Sequence, residues 1–262
     1  MTLWGFEWSN PLLGHINVIN SPDFTNVFLT FRLSKLYKWL AARPNAFGRF
    51  NHPGEYDDFW LEFLHLFLHH NARSQMVGIE TWNGNSSFDR YYYAGGYSSD
   101  LSYWDEGNRK GWLLGPLGAE DNHRGNWGTV NEFRTAILAE ELTREAIIDG
   151  YRNRRFYATE DKDLKLDFRV QGYPMGSRLS GVDHRTFEVA ACDGSNDTFG
   201  EVRFYRNGVL MQTRIVDGNC IAVSFNDSFV AAAYYYVIVQ QNDDNDGNGR
   251  NDEAISSPIW IQ

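Results

Sequence analysis

The chain has 262 residues, 42% hydrophobic and 16% aromatic, which is enough apolar material to core one large domain or two smaller ones and excludes disorder as the default state. A formal net charge of −10, offset by no basic cluster longer than residues 152 to 155, excludes nucleic-acid binding as the main role. No apolar run approaches the roughly twenty residues of a membrane span, so no membrane association is expected, and nothing in the sequence assigns a compartment.

In chain order, Trp4-Gly5-Phe6-Glu7-Trp8-Ser9-Asn10 and Gly14-His15-Ile16-Asn17-Val18-Ile19 read as strands that carry potential metal ligands. A helix is expected from near Thr25 through Phe28, Leu29, Phe31, Leu33, Leu36, Tyr37 and Leu40, with Pro44 stopping it. Ala46 to Asn51 is a further strand running into His52, and Tyr56 to His70 predicts a second helix through Phe59, Trp60, Phe63, Leu64, Phe67 and Leu68. His65 and His69 lie one helical turn apart, but they sit among Phe and Leu with no zinc-protease Glu between them, which favours a structural role. Met76 to Thr81 reads as a buried strand with Glu80 near its end. Glu80 and Asn83 are candidates for orienting metal ligands. From Asn83 to Lys110 the periodicity breaks into a long loop, either a lid or a packing insertion, whose Trp104, together with Trp112 just beyond it, would either wall a pocket or fill a core.

The run Glu120-Asp121-Asn122-His123-Arg124-Gly125-Asn126-Trp127-Gly128 sets a carboxylate and an imidazole two apart after an apolar stretch. On extended backbone such residues share a face, so Asp121 and His123 can reach one metal together. A lone D-x-H is more often a polar turn, but here three apolar segments run into ligands, giving the constellation Glu7, His15, His52, Asp121 and His123. Imidazole and carboxylate donors without thiolates suit zinc, manganese or iron. Arg124 is the nearby cation for an anionic substrate, or else a salt-bridge partner within its own loop. Asn10 or Asn83 would help it hold substrate.

Arg134 to Glu141 predicts a strand, Thr143 caps a helix over Arg144 to Arg154, and Phe156 to Thr159 is a short strand. After Asp161 the pattern changes to period two in Leu164 to Val170, Phe187 to Val189 and Val202 to Arg206, with a hairpin turn at Arg206-Asn207-Gly208-Val209. Tyr234 to Gln240 and Ile255 to Ile261 follow, so residues 163-262 read as an antiparallel β-sandwich. Its loop Asn242 to Glu253 nearly fits a calcium loop, with ligands at Asn242, Asp244, Asp246 and Glu253, or else is a solvated hairpin tip. Cys192 and Cys220 are too few to declare a redox compartment, and a bridge between them is left open.

The ordered segments G-F-E-W-S-N with G-H-I-N-V, then F-N-H-P-G, G-I-E-T-W-N, E-D-N-H-R-G-N-W-G with R-T-A-I-L-A-E-E-L-T-R-E-A, and R-R-F-Y-A-T resemble the PHP (polymerase and histidinol phosphatase) superfamily. The nearest branch is the CehA/McbA-type metallohydrolases, and the resemblance spans about residues 3 to 160. It implies an α/β protein: an incomplete PHP-type (β/α)7 barrel over residues 1-162, followed by the sandwich. It also implies a metal-dependent hydrolase of phosphate esters or related small-molecule esters, with Glu7, His15 and His52 a nearly complete single site, Asp121 half of a second and His123 a remnant of a third. The family's opening H-x-H segment has no counterpart here, which implies impaired hydrolysis or a non-catalytic binding or structural module. A barrel lacking its first strand leaves an edge to cover, and a homodimer is the expected cover.

Overall fold

The computed structural model describes residues 2–55, 59–84, 91–98, 100–181, 184–245, 247 and 249–262. Within them lie three sheets and three α-helices. The first sheet has the order β1 (Gly5–Asn10), β2 (Gly14–Ile19), β3 (Phe47–Phe50), β4 (Met76–Asn83), β5 (Gly115–Ala119). β1 and β2 form a hairpin whose corner is fixed by the Asn10 side chain, which accepts from the Leu12 and Leu13 amides at 2.9 and 3.0 Å. Gly14 closes the corner at φ 81°, a conformation that favours glycine. β3 is antiparallel to β2, while β3–β4 and β4–β5 are parallel. Helix α1 (Leu33–Ala41) buries Leu33, Leu36, Tyr37 and Leu40, the three- and four-residue stripe expected of a covering helix.

The second sheet runs β10 (Arg178–Leu179), β17 (Ile259–Ile261), β15 (Ala233–Gln241), β16 (Glu253–Ser256), β7 (Phe156–Thr159), β6 (Arg134–Ile137), and β12 (Phe199–Arg206) with β13 (Val209–Ile215) joins it through β15. The third runs β14 (Cys220–Asp227), β11 (Arg185–Cys192), β8 (Lys165–Val170), β9 (Tyr173–Pro174). β15 is buried on both faces, and its alternation divides two cores. Tyr234, Tyr236 and Ile238 share one with Trp8, Trp82, Trp104 and Trp112 of the amino-terminal half. Ala233, Tyr235, Val237 and Val239 share the other with Phe168, Phe187, Phe204 and Phe225. Helix α2 (Tyr103–Arg109) packs into the first core through Trp104, and α3 (Arg144–Arg152) follows the capping Thr143, whose Oγ1 accepts from the Ala146 amide at 3.2 Å. The β12–β13 turn places Asn207 and Gly208 at φ 53° and 79°, as a two-residue hairpin requires. Cys192 and Cys220, directly opposite on β11 and β14, form a disulfide.

This architecture overturns the barrel. A (β/α)-type barrel alternates parallel strands with helices. Here most pairings are antiparallel, β6 and β7 pair antiparallel inside the sheet that contains β15 and β16, and the described residues hold three α-helices against seventeen strands. The α/β class, the incomplete PHP-type barrel over residues 1-162 and the family resemblance that implied them therefore do not hold. The molecule is mainly β, and its carboxyl-terminal strands pack as sheet on sheet.

Two helices also differ from expectation. Asn26 draws the chain into a local turn, its side chain accepting from the Phe28 and Leu29 amides, so that the first helix begins only at Leu33 and leaves Phe28, Leu29 and Phe31 exposed. The second shrinks to a 3-10 turn at Glu62–Leu64 flanked by left-handed Trp60, His65 and Leu66. Its apolar side chains do not share one buried face: Phe63 and Leu66 go inward, while Phe59, Trp60 and Phe67 remain exposed. Tyr56 lies outside the described residues.

Candidate metal centre

The β1–β2 hairpin sets Glu7 opposite Asn17 and Ser9 opposite His15, so Glu7 and His15 are diagonal neighbours on one face. Nδ1 of His15 lies 3.3 Å from Oε1 of Glu7. His52 arrives from the end of β3. Its backbone turns sharply at φ 25°, and its amide donates to Oε2 of Glu80 at 2.7 Å. That places Nε2 of His52 3.8 Å from the same Glu7 oxygen and its ring 4.9 Å from that of His15. Ligand atoms of Glu7, His15 and His52 all fall within 4.8 Å of one another. His52 is buried, whereas Glu7 keeps 27% of its side chain exposed, so the cluster opens to solvent on one side.

Electrostatics tie the three together. Hydrogen bonds from His15 and His52, aided by Asn51 Nδ2 at 2.8 Å, hold the Glu7 carboxyl well below the usual carboxylate range despite its partial burial. Burial works against a charged His52, but the Glu7 hydrogen bond and the negative charges of Glu80, Glu55 and Asp121 outweigh it and push the imidazole up to about 9. The surrounding groups thus compensate a positive charge at this point, whether carried by protons or by a cation. Behind His52, Glu80 also accepts from Asn83 Nδ2 at 2.9 Å and lies 3.5 Å from Arg49, while Glu55 lies 2.9 Å from His52 Nδ1. Sequence reasoning passed over Asn51 and Glu55. Their signal was adjacency to His52, one residue before it and three after.

The other candidates lie apart from this trio. Asp121 contributes charge to His52 but does not join the close ligand group. It adopts φ 47° after β5 ends at Ala119, which cancels the period-two geometry expected for Asp121 and His123. The His123 ring turns back onto the Asp121 carbonyl at 2.8 Å and is 71% exposed. Arg124 is exposed on the same loop, its amide donating to Asn122 Oδ1, and Glu120 accepts from the Gly128 and Val130 amides to close that loop. Asn10 serves its hairpin corner and donates to the Phe31 carbonyl. Trp104 and Trp112 are buried in the core, their indoles donating to the Leu114 and Leu66 carbonyls. A shallow groove beside the trio is lined by Asn17, Arg49, Asp121, His123, Trp127 and Arg134 among others.

In the calcium-like loop, Asn242 donates to Thr198 Oγ1, Asp244 accepts from the Gly249 amide, and Glu253 lies in β16 bonded to Arg203, Tyr93 and Gln240. Asp246 lies outside the described residues. His65 stacks on Tyr97 at 4.8 Å and His69 packs on Tyr37 at 5.0 Å. Among the described residues, no helix is long and apolar enough to cross a membrane.

No protein-family model matches the chain. An uncharacterized protein of Chlamydia pneumoniae is 28% identical over 149 residues, which cover 48% of this chain and 22% of the relative, so the chain matches about a fifth of that protein's length. Among solved structures, the CARDB domain of the PF1109 protein from Pyrococcus furiosus, in complex with di-metal ions, is similar at 18% identity and a TM-score of 0.28, covering 38% of this chain and 88% of that domain. A solution structure of the same domain gives 16% identity, the same TM-score and coverage of 38% and 94%. The ester-hydrolase function and small-molecule ester substrate had been implied by the barrel resemblance. With the barrel replaced by packed β-sheets, that function is withdrawn.

Proposed function

We propose that the protein is a non-catalytic binding module that holds one divalent transition metal ion through Glu7, His15 and His52. The observation that carries this is the convergence of two imidazoles on one carboxylate oxygen, at 3.3 and 3.8 Å, from three separate chain segments. Two nitrogen donors and one oxygen donor suit zinc, manganese or iron, and three protein ligands leave a coordination position open. The exposed side of Glu7 puts that opening toward solvent. When bound, the metal supplies a positive centre that ties β1, β2 and the turn after β3 together and offers an attachment point for an oxygen or nitrogen ligand. Asn51 orients Glu7, and Glu80 fixes the backbone from which His52 projects.

Elemental analysis of protein dialysed against zinc or manganese tests this. One equivalent is expected in the wild type and none in His52→Ala. Equal metal in both proteins would overturn the site, and turnover of a phosphoester panel by the metal-loaded wild type would overturn the non-catalytic reading.

A further inference from the structure

A second site lies where the amino-terminal half meets the carboxyl-terminal sheets, at the entering ends of β4 and β5. Because β3, β4 and β5 run parallel, this is the end of the first sheet away from Glu7, His15 and His52. A cavity of about 300 Å³ there is lined by Arg73 before β4, Leu113 before β5, Arg152 and Arg154 at the close of α3, Arg178 in β10 and Trp260 in β17. Gly176 lets these segments meet. At φ 86°, a side-chain carbon on it would lie 2.2 Å from the Asn153 carbonyl oxygen, so glycine is what allows the chain entering β10 to lie against the turn after α3. Arg154 is buried and Arg73 half-buried, while Arg152 and Arg178 are exposed.

Charge sets this cavity apart. The chain has a formal net charge of −10, yet four arginines line this one space, and among the described residues none of them forms an ion pair with a carboxylate. Arg154 Nε and Nη2 donate to the carbonyls of Leu113, Ser74 and Met76, and Nη1, which carries two hydrogens, has a single acceptor in the Arg152 carbonyl. Arg73 Nε donates to the Gly111 carbonyl at 2.6 Å, and Arg178 donates to Gln262 Oε1 at 3.5 Å. Carbonyl and amide oxygens solvate a guanidinium without neutralising it. Burial, joined by the positive charges of Arg178, Arg73 and Arg152, pushes Arg154 down to about 9, and burial with Arg178 lowers Arg73 as well. No carboxylate offsets either shift. Like charges gathered in a partly enclosed cleft repel one another and focus a positive potential that an anion relieves.

We propose that Arg73, Arg152, Arg154 and Arg178 bind a phosphate group, either as inorganic phosphate or as the head of a small phosphate monoester. Guanidinium forks match the oxygens of phosphate bidentately, and a compact group carrying close to two charges answers several arginines at once, which a single carboxylate does not. The volume lies at the lower end of the range for small-molecule sites, so it suits phosphate with a short organic group and is too small for a nucleotide strand. Arg154, held by its carbonyls, supplies fixed charge, and the exposed Arg152 and Arg178 supply forks that close on the group. The site does not depend on the Glu7 trio.

The experiment is calorimetric titration of the full chain with inorganic phosphate and with glycerol 3-phosphate, against sodium chloride at matched ionic strength, together with thermal melts in each. One phosphate group per chain is expected to bind, with a melting temperature that rises in its presence. Tighter binding of glycerol 3-phosphate identifies an organic phosphate as the source, and tighter binding of inorganic phosphate identifies the free ion. Arg178→Gln and Arg152→Gln should each weaken binding by roughly tenfold or more, because each removes a charge-assisted contact. Without phosphate, Arg178→Gln should melt no lower than wild type, since it relieves the repulsion among the arginines. His52→Ala should bind as wild type does, as should Arg155→Gln, whose side chain faces Asp149 instead. No binding beyond the chloride control, undiminished binding by either folded Arg178→Gln or Arg152→Gln, or an equal loss in His52→Ala or Arg155→Gln would each overturn the proposal.

Discussion

The Tyr236 hydroxyl donates a 2.9 Å hydrogen bond to Oδ2 of Asp105, joining helix α2 to the doubly buried strand β15 inside the first core. Tyr234 donates to the other oxygen at 2.9 Å, and Ser102, the residue capping α2, reaches Oδ2 at 3.1 Å. The same carboxylate thus holds the capping Ser102 from the first turn of a helix and anchors alternate residues of a strand more than 120 positions away. It couples the amino-terminal half to the carboxyl-terminal sheets.

That placement gives a pH dependence. Burial pushes Asp105 up to about 6, with the Tyr236, Tyr234 and Ser102 hydrogen bonds only partly offsetting it. A carboxyl whose folded pKa exceeds its unfolded value near 3.9 binds more protons when folded, so its contribution to stability is greatest at low pH and declines as pH rises from about 4 to about 6. The decline amounts to about 3 kcal/mol at one pKa unit per 1.4 kcal/mol. Urea unfolding across this window should show the slope in the wild type and lose it in Asp105→Asn. Identical slopes would show that Asp105 is not the group responsible.

Arg154 should be a second point of fragility. Its guanidinium is buried and surrounded by carbonyls, donating to Leu113 at 2.9 Å, Ser74 at 2.9 Å and Met76 at 3.1 Å. These bonds clamp the chain before β4 and β5 to the turn after α3. Arg154→Met leaves several buried carbonyls unpaired and should cost about 3 kcal/mol or more in denaturant unfolding, with Arg154→Lys recovering only part because it lacks the planar fork. A loss below about 0.5 kcal/mol would place this residue among ordinary surface positions.

What the sequence disclosed depended on the kind of regularity each segment carried. The run Tyr234 to Gln240, the alternation around Phe187 and Phe204, and the Asn207-Gly208 turn were legible because period two and paired positive φ angles are local properties. Strand direction is not local. β6 and β7 fit an alternation of strands and helices, but nothing in Arg134 to Thr159 says that they pair antiparallel and continue into a sheet completed a hundred residues later. The same limit separated the site residues. Glu7, His15 and His52 were singled out as candidate ligands and lie together in the fold, while Asp121 and His123 failed to share a face because one left-handed residue broke the extended geometry. The cluster of Asp161 and Asp193 around the Gln241 amide is assembled from three distant chain segments and has no spacing signature at all.

The Cys192–Cys220 disulfide should matter for stability. It joins directly opposed residues of β11 and β14, so the bond locks the register of an edge strand and closes a segment of 28 residues that contains β12 and β13. Loop-closure entropy for such a segment corresponds to about 3–4 kcal/mol. Reduction with dithiothreitol, or the double substitution Cys192→Ser with Cys220→Ser, should lower the unfolding free energy by about that amount. An unchanged denaturation midpoint in the reduced protein would show that the β11–β14 pairing carries itself.

Glu80 is expected to govern the Glu7, His15 and His52 cluster without belonging to it. Its carboxylate fixes the His52 amide at 2.7 Å, takes Asn83 at 2.9 Å and faces Arg49 at 3.5 Å, all in a buried position at the end of β4. Glu80→Ala frees the turn that aims His52 and leaves Arg49 without its partner, so stability should fall by about 3 kcal/mol and metal affinity by about 10- to 100-fold. Glu80→Gln keeps an acceptor for the His52 amide while losing the charge, and should therefore restore most of the metal affinity and less of the stability. Measuring zinc binding and urea unfolding on the same preparations separates the two effects. If folded Glu80→Ala binds zinc as tightly as wild type, the turn holding His52 does not depend on Glu80, and the arrangement of the site must come from the β1–β2 hairpin alone.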